Sequence, residues 1–256
     1  MIAIDQLSVT YDSGASYAVR DLTLNIEQGQ FVALVGASGC GKTSLLKTIN
    51  RLHDPADGTV RVNNEPVLQV APELLRRRIG YVFQGIGLFP HMTVAENIAI
   101  TPKLLRWSEK DRSARVLELL ALVDLPQNFA TRMPAELSGG QQQRIGVARA
   151  LAARPKVLLM DEPFGALDPL TRDALGTSCR MLHDKLGLTT IMVTHDVQEA
   201  VLLADRIIVM RAGGIIADGS PERLLREQQD EHVAELMSLP QRQAARVQAL
   251  LDGQQR

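Results

Sequence analysis

Three short stretches of the chain carry side chains suited to phosphate chemistry. The first, GASGCGKT from Gly36 to Thr43, follows the apolar run FVALV and opens a segment of helical period. Glycines at 36, 39 and 41 let a backbone wrap with its amides inward, and a helix starting near Lys42 adds its positive end, so a triphosphate would be cradled by dipoles. Lys42 would reach the β and γ phosphates, and the Thr43 hydroxyl would hold Mg²⁺, a hard ion that keeps oxygen ligands. The second stretch, VLLMDEP from Val157 to Pro163, ends an apolar run in two carboxylates. At the carboxyl edge of a sheet Asp161 is expected to face Mg²⁺ through water, while Glu162 orients or deprotonates an attacking water. His195, closing the run TTIMVT, is expected to contact the γ-phosphate. The predicted chemistry is nucleoside triphosphate hydrolysis.

The third stretch, LSGGQQQR from Leu137 to Arg144, sets Ser138, Gly139 and Gly140 at the mouth of the helical sequence GQQQRIGVARALAA. Amides, a hydroxyl and a helix terminus there make a second phosphate nest, expected to face outward. With a helical lobe holding the two nests apart, one chain cannot close both on one nucleotide. A symmetric head-to-tail pair with two shared sites is therefore predicted. His53, His91, His183 and His232 have no comparable setting and read as surface or packing residues. Cys40 and Cys179 lack metal-ligand spacing and fit a reducing compartment. Cys40, near a helix amino end, is expected to have a lowered pKa, so that alkylation blocks nucleotide entry.

Such residues need rigid elements to hold them. Hydrophobic residues make up 45% of the 256 and aromatics only 4%, which suits an aliphatic α/β core with a parallel sheet covered on both faces. Alternation from Ile2 to Val35, broken by Asp12-Ser13-Gly14 and Glu27-Gln28-Gly29-Gln30, predicts short antiparallel strands first. Buried strands are expected at Phe31–Val35, Ile79–Phe83, Val157–Met160, Thr190–Val193 and Arg206–Met210. From about Thr93 to Ala153 the pattern reads as wholly helical, a lobe inserted into the sheet domain. The predicted division is residues 2–228 for the main domain, with the lobe at about 85–153, and a short helical tail over 229–256. In the tail Pro240 is expected to separate two helical patterns, the second presenting Ala244, Val247, Leu250 and Leu251 on one face. That face either docks on its own domain or contacts a second copy or a membrane subunit.

A formal net charge of −1 with scattered Lys and Arg argues against non-specific nucleic-acid binding. No apolar run approaches the roughly 18 residues that a membrane helix needs, so the chain is expected inside the cell.

Taken in order and spacing, GASGCGKT, Gln84, LSGGQ, LLMDEP, the Gly165-Ala166-Leu167-Asp168 turn and His195 resemble the ATPase subunits of ABC transporters, over about Ile2 to Arg226. The resemblance implies a P-loop NTPase fold: a mainly parallel sheet core, an antiparallel β subdomain and an inserted helical lobe. It implies ATP contacts along Gly36, Ala37, Ser38, Gly39, Cys40, Gly41, Lys42, Thr43 and Ser44, with Ser138, Gly139, Gly140 and Gln141 supplied from the facing copy. Tyr11, rather than Tyr17, matches the tyrosine that stacks on adenine. Gln84 matches a hinge glutamine linking Mg²⁺ to the lobe, so that Thr43, Gln84 and Asp161 form the metal set. The turn ending in Asp168 would pass between copies, and Glu162, His195 and Lys42 would be catalytic.

In this family such subunits dock on integral membrane permeases, served indirectly by an extracytoplasmic solute-binding protein, at the inner face of the membrane. The segment after Gln84 is the expected docking surface, with Leu88, Phe89 and Trp107 either at that surface or in the core. Within Gly85 to Trp107, the portion Gly87–Val94 resembles many bacterial importers, and the continuation Pro102–Trp107 resembles those for quaternary amines such as glycine betaine, choline and carnitine. A motor for another small solute (amino acid, polyamine or anion) and a non-transport ABC ATPase are the alternatives. The tail is too short for even one of the paired nucleotide-sensing modules that some osmoprotectant relatives carry, which puts an intrinsic response to ionic strength in doubt.

Overall fold

The computed structural model describes residues 1–12, 14–85, 87–227 and 230–253. Two sheets organise it. In the first, β1 (Ile2–Val9) pairs antiparallel with β2 (Val19–Ile26) and with β4 (Asp57–Val62), and the short β5 (Glu65–Pro66) adds an edge, in the order β2-β1-β4-β5. β2 shows why: it buries Val19, Leu22, Leu24 and Ile26 and exposes the residues between them, the period of a half-buried strand.

The second sheet contains β3 (Phe31–Val35), β6 (Ile79–Val82), β7 (Val157–Asp161), β8 (Thr189–Val193), β9 (Arg206–Arg211) and β10 (Gly214–Gly219), in the order β10-β9-β3-β8-β7-β6. All pairs are parallel except β9 with β10. β3 is buried at every position: Phe31, Ala33 and Val35 pack into one apolar cluster while Val32 and Leu34 pack into the other. Burial on both faces explains the continuous apolar run, which alternation could not produce.

Helices cover these faces: α1 (Lys42–Ile49), α2 (Pro72–Arg78), α6 (Pro169–Leu186), α7 (Val197–Leu203) and α8 (Pro221–Arg226). Between β6 and β7 stands the lobe of α3 (Val94–Leu104), α4 (Glu109–Leu122) and α5 (Gly139–Leu151). It is less uniformly helical than its sequence period suggests. Only two 3₁₀ turns, Gln127–Thr131 and Pro134–Glu136, occupy the stretch between α4 and α5. Pro126 and Pro134 have no N–H to donate, which favours short turns over a continuing helix.

The tail also departs from expectation. One helix, α9 (Glu231–Gly253), carries Pro240 inside it, because good helix formers on both sides outweigh one lost hydrogen bond. Its first half docks on its own domain through Val233 and Met237, whereas residues 241–250 are exposed throughout, Val247 and Leu250 included. The Leu251 side chain lies outside the described residues. Among the described residues no helix is long and apolar enough to cross a membrane.

Register fixes what meets at the sheet's carboxyl edge. Leu34 and Asp161 both pair with Val193, so the ends of β3, β7 and β8 lie side by side, at the type of edge where open α/β sheets hold ligands.

Candidate functional site

At the end of β3 the chain turns into a loop that only glycine can follow. Gly41, at φ 107°, is the N-cap of α1, and a Cβ there would stand 2.2 Å from the Ala18 carbonyl oxygen. Gly36 is equally confined, against the Met210 carbonyl at 2.2 Å. Gly39, at φ 78°, faces open space, which leaves that side of the loop free for a ligand. Lys42 is 95% buried; its Nζ donates to the carbonyls of Gly36 at 2.8 Å and Ala37 at 2.9 Å. A cation therefore sits at the loop's centre, solvated by backbone oxygen.

Cys40 differs from expectation. Its thiol is buried in the apolar cluster beneath the loop, 3.7 Å from Lys42 Nζ. A Cβ on Gly36 would stand 2.9 Å from that sulfur, so the thiol lies against the start of the loop.

Behind the loop, Thr43 Oγ1 donates to Asp161 Oδ1 at 2.8 Å, and the Tyr81 hydroxyl donates to Asp161 Oδ2 at 3.3 Å. Asp161 is only 3% exposed, and these two donors satisfy a carboxylate that burial would otherwise penalise. Burial and the neighbouring Asp161 carboxylate push the Tyr81 phenol well above its ordinary pKa, so it remains a donor. Among the described residues no group of three or more His, Cys, Asp and Glu could hold a metal by itself. The Thr43 hydroxyl and the single Asp161 carboxylate, 2.8 Å apart, fit Mg²⁺, which is held by one or two carboxylates together with substrate phosphates.

Glu162 follows with a left-handed backbone, φ 44°, and its amide donates to the Val193 carbonyl at 3.0 Å. Its Oε2 accepts from Gln84 Nε2 at 3.0 Å and lies 3.6 Å from His195 Nδ1. Two side chains, from just beyond the ends of β6 and β8, thus converge on one oxygen of the carboxylate that follows β7.

The Tyr11 ring is 60% exposed. Its hydroxyl donates to Ser44 Oγ at 3.1 Å, and its ring centroid lies 4.3 Å from that of His53. His53 Nε2 is 2.9 Å from the Thr10 carbonyl oxygen. His53 therefore does more than fill surface: it backs the aromatic platform beside the loop. Tyr17, on the other side of the same turn, instead lies under the Arg20 guanidinium, 5.6 Å from ring to cation.

Ser138 caps α5. Its hydroxyl accepts from the Gln141 amide at 3.3 Å, and the Gln141 side chain accepts from the Ser138 amide at 3.0 Å, completing a capping box. Ser138 and Gly139 are exposed, and no hydrogen bond among the described residues joins Ser138–Gln141 to Gly36–Ser44. A Cβ on Gly140 would strike Thr171 Cγ2 at 2.4 Å, so the start of α5 lies against the start of α6. Asp168 caps α6 and accepts from the Thr171 amide at 3.1 Å; hydrogen bonds from the Thr171 side chain and then its amide hold the carboxyl below the usual range.

Beyond Gln84, Leu88 packs half-buried against the core while Phe89 stays exposed. A cavity of about 500 Å³ opens beside them, bounded by Phe83, Phe89, Ile100, Leu104 and Arg149. Trp107 is half-buried under the Arg154 guanidinium, outside this cavity's lining.

Comparison with known proteins places this arrangement. The ABC transporter family matches residues 19–165. The chain belongs to the ABC transporter family. The chain is 52% identical to the carnitine transport ATP-binding protein OpuCA of Listeria monocytogenes over 93% of its own length and 59% of that relative's. It is 50% identical to the choline transport ATP-binding protein OpuBA of Bacillus subtilis, over 93% of this chain and 62% of that one. It thus spans about three fifths of these curated relatives. A solved ATP-binding cassette, a dimer in a post-hydrolysis state with ADP and Pi, superposes with a TM-score of 0.78 at 35% identity, covering 86% of this ABC chain and 98% of the other. The α/β cassette fold expected from the motifs is therefore the fold observed.

Proposed function

We propose that this ABC chain is the ATP-hydrolysing motor subunit of an importer for quaternary amine osmoprotectants, working as a head-to-tail homodimer on integral membrane permeases. The observation that carries the reading is the convergence of Gln84 and His195 on the Glu162 carboxylate, beside the Thr43–Asp161 pair and beneath the Lys42 loop.

In this reading Gly36 to Ser44 wrap the phosphates with Lys42 as counter-charge, and Tyr11, backed by His53, stacks on the base. Thr43, Asp161 and Gln84 would hold Mg²⁺, which neutralises phosphate oxygens when bound with ATP. Glu162 orients a water and accepts its proton; His195 steadies the γ-phosphate and, through Glu162, the base. Ser138 to Gln141 of a second copy close over the triphosphate, and the Asp168 turn lies between the copies. The dimeric cassette with ADP and Pi supports the paired assembly, and the likeness to carnitine and choline transport ATP-binding proteins supports carnitine or choline as cargo. The cavity beside Phe89 is the proposed permease dock. A solute-binding protein would serve the permease, and the motor would sit at the inner face of the membrane.

Glu162→Gln keeps the shape and removes the base. ATP binding should persist while turnover falls by roughly 10²-fold or more, and a dimer should accumulate on size-exclusion chromatography with ATP. Turnover at the wild-type rate would remove Glu162 from this role. Co-purification with a multi-span membrane protein, followed by uptake of labelled betaine, choline and carnitine, tests the transport assignment. Uptake of none of them by a complex that hydrolyses ATP would overturn the cargo.

A further inference from the structure

Arg172 lies in the first turn of α6, four residues after Asp168, and its guanidinium reaches back toward His195. Nη2 donates to the Leu167 carbonyl at 3.2 Å, and Nη1 to Asp196 Oδ2 at 3.4 Å. Nε is buried without a hydrogen-bond partner, with Glu199 Oε1 at 3.8 Å. The other Glu199 oxygen accepts from Thr194 Oγ1 at 2.6 Å, which itself accepts from the Asp196 amide at 3.0 Å. One planar cation thus joins the Gly165–Asp168 turn to Asp196, and lies 3.8 Å from the Glu199 carboxylate that Thr194 holds on the other side of His195. The turn and the imidazole are already close, since a Cβ on Gly165 would lie 3.8 Å from His195 Cε1.

We infer that Arg172 is a positioning residue that transmits movement of the Gly165–Asp168 turn to His195. Its forked donors have fixed relative directions, so Leu167 cannot shift without drawing Asp196 along or breaking a charge-assisted bond. The idle Nε–H gives the device a second setting: a hydrogen bond to Glu199 forms when 3.8 Å shortens to about 3.0 Å. Burial raises the Glu199 carboxyl above its ordinary pKa, opposed by the Thr194 hydrogen bond and then by the Arg172 cation. The inference rests on the reading above, in which a second copy presses on this turn and His195 meets the γ-phosphate.

The test compares Arg172→Lys, which keeps the charge but not the fork, with Arg172→Met, which removes both. Each full chain is assayed for ATP turnover against ATP concentration, for binding of a fluorescent ATP analogue and for thermal midpoint. For Arg172→Lys the midpoint and KM should stay near wild type while kcat drops about tenfold, the pattern of an interaction felt only in the transition state. Arg172→Met should lose at least as much kcat, and adding Asp196→Asn to it should cost no more than about twofold further, because both remove one link. An Arg172→Lys chain with wild-type kcat, or losses that merely follow the folded fraction, overturns the inference alone. A wild-type chain that turns over no ATP even with its membrane partners overturns the functional reading and this inference together.

Discussion

The Gly36–Ser44 loop and the Leu137–Gln141 turn are both glycine-rich entries to helices, yet they are built in opposite ways. The first is enclosed: glycine backbones press on neighbouring carbonyls, Lys42 is buried, and Thr43 binds the carboxylate at the end of β7. The second is exposed at Ser138 and Gly139 and satisfies its own polar groups with a capping box. The contrast teaches that one nest is finished within the chain, whereas the other presents a preorganised but unengaged surface, as a half-site meant for another molecule would.

Lys42→Ala should have the largest effect, weakening ATP binding by about 10³-fold, since it removes a desolvated charge from the centre of the loop; titration with a fluorescent analogue measures it. Gly41→Ala comes next: with a Cβ 2.2 Å from the Ala18 carbonyl, it should cost about 3 kcal/mol of stability or more in denaturant unfolding. Gly139→Ala, whose Cβ would meet nothing within 4 Å, should change stability by less than about 1 kcal/mol. It should nevertheless slow turnover about tenfold, because the added methyl stands on the exposed nest. Equal instability in the two glycine variants would break the comparison. Tyr11→Ala should raise KM for ATP by about fivefold with kcat unchanged, the loss of one stacked ring. Smallest of all, Val247→Ser should shift stability by less than about 0.5 kcal/mol, and a larger shift would mean that the outer half of α9 is covered.

The loop, the strand-end carboxylate and the buried strands were legible because each depends on local chemistry: glycine at positive φ, an apolar run, a polar residue at its end. What escaped depends on contacts distant in sequence. Tyr81 reads as core in the run IGYVF, and only the register of β6 with β7 brings its hydroxyl to Asp161. His53 is 42 residues from Tyr11, so nothing local pairs their rings. Arg172 looks like an ordinary helix residue until α7 and the His195 loop fold over it. The burial of the Cys40 thiol escaped too, because a helix start says nothing about which side of the loop a thiol faces. Amphipathic spacing likewise marked a face on α9 but could not say that its coverage ends near Pro240.

The pairing of Asp161 and Leu34 with a single residue, Val193, has a consequence for how such a chain tolerates change in length. Adding or deleting a residue in a surface connection, such as the one between α4 and α5, leaves that alignment untouched. One residue gained or lost inside β7 would swing every later side chain of the strand to the opposite face and carry the carboxylate away from Thr43. Natural variation in length should therefore be frequent in the lobe's connections and absent from the five positions 157–161.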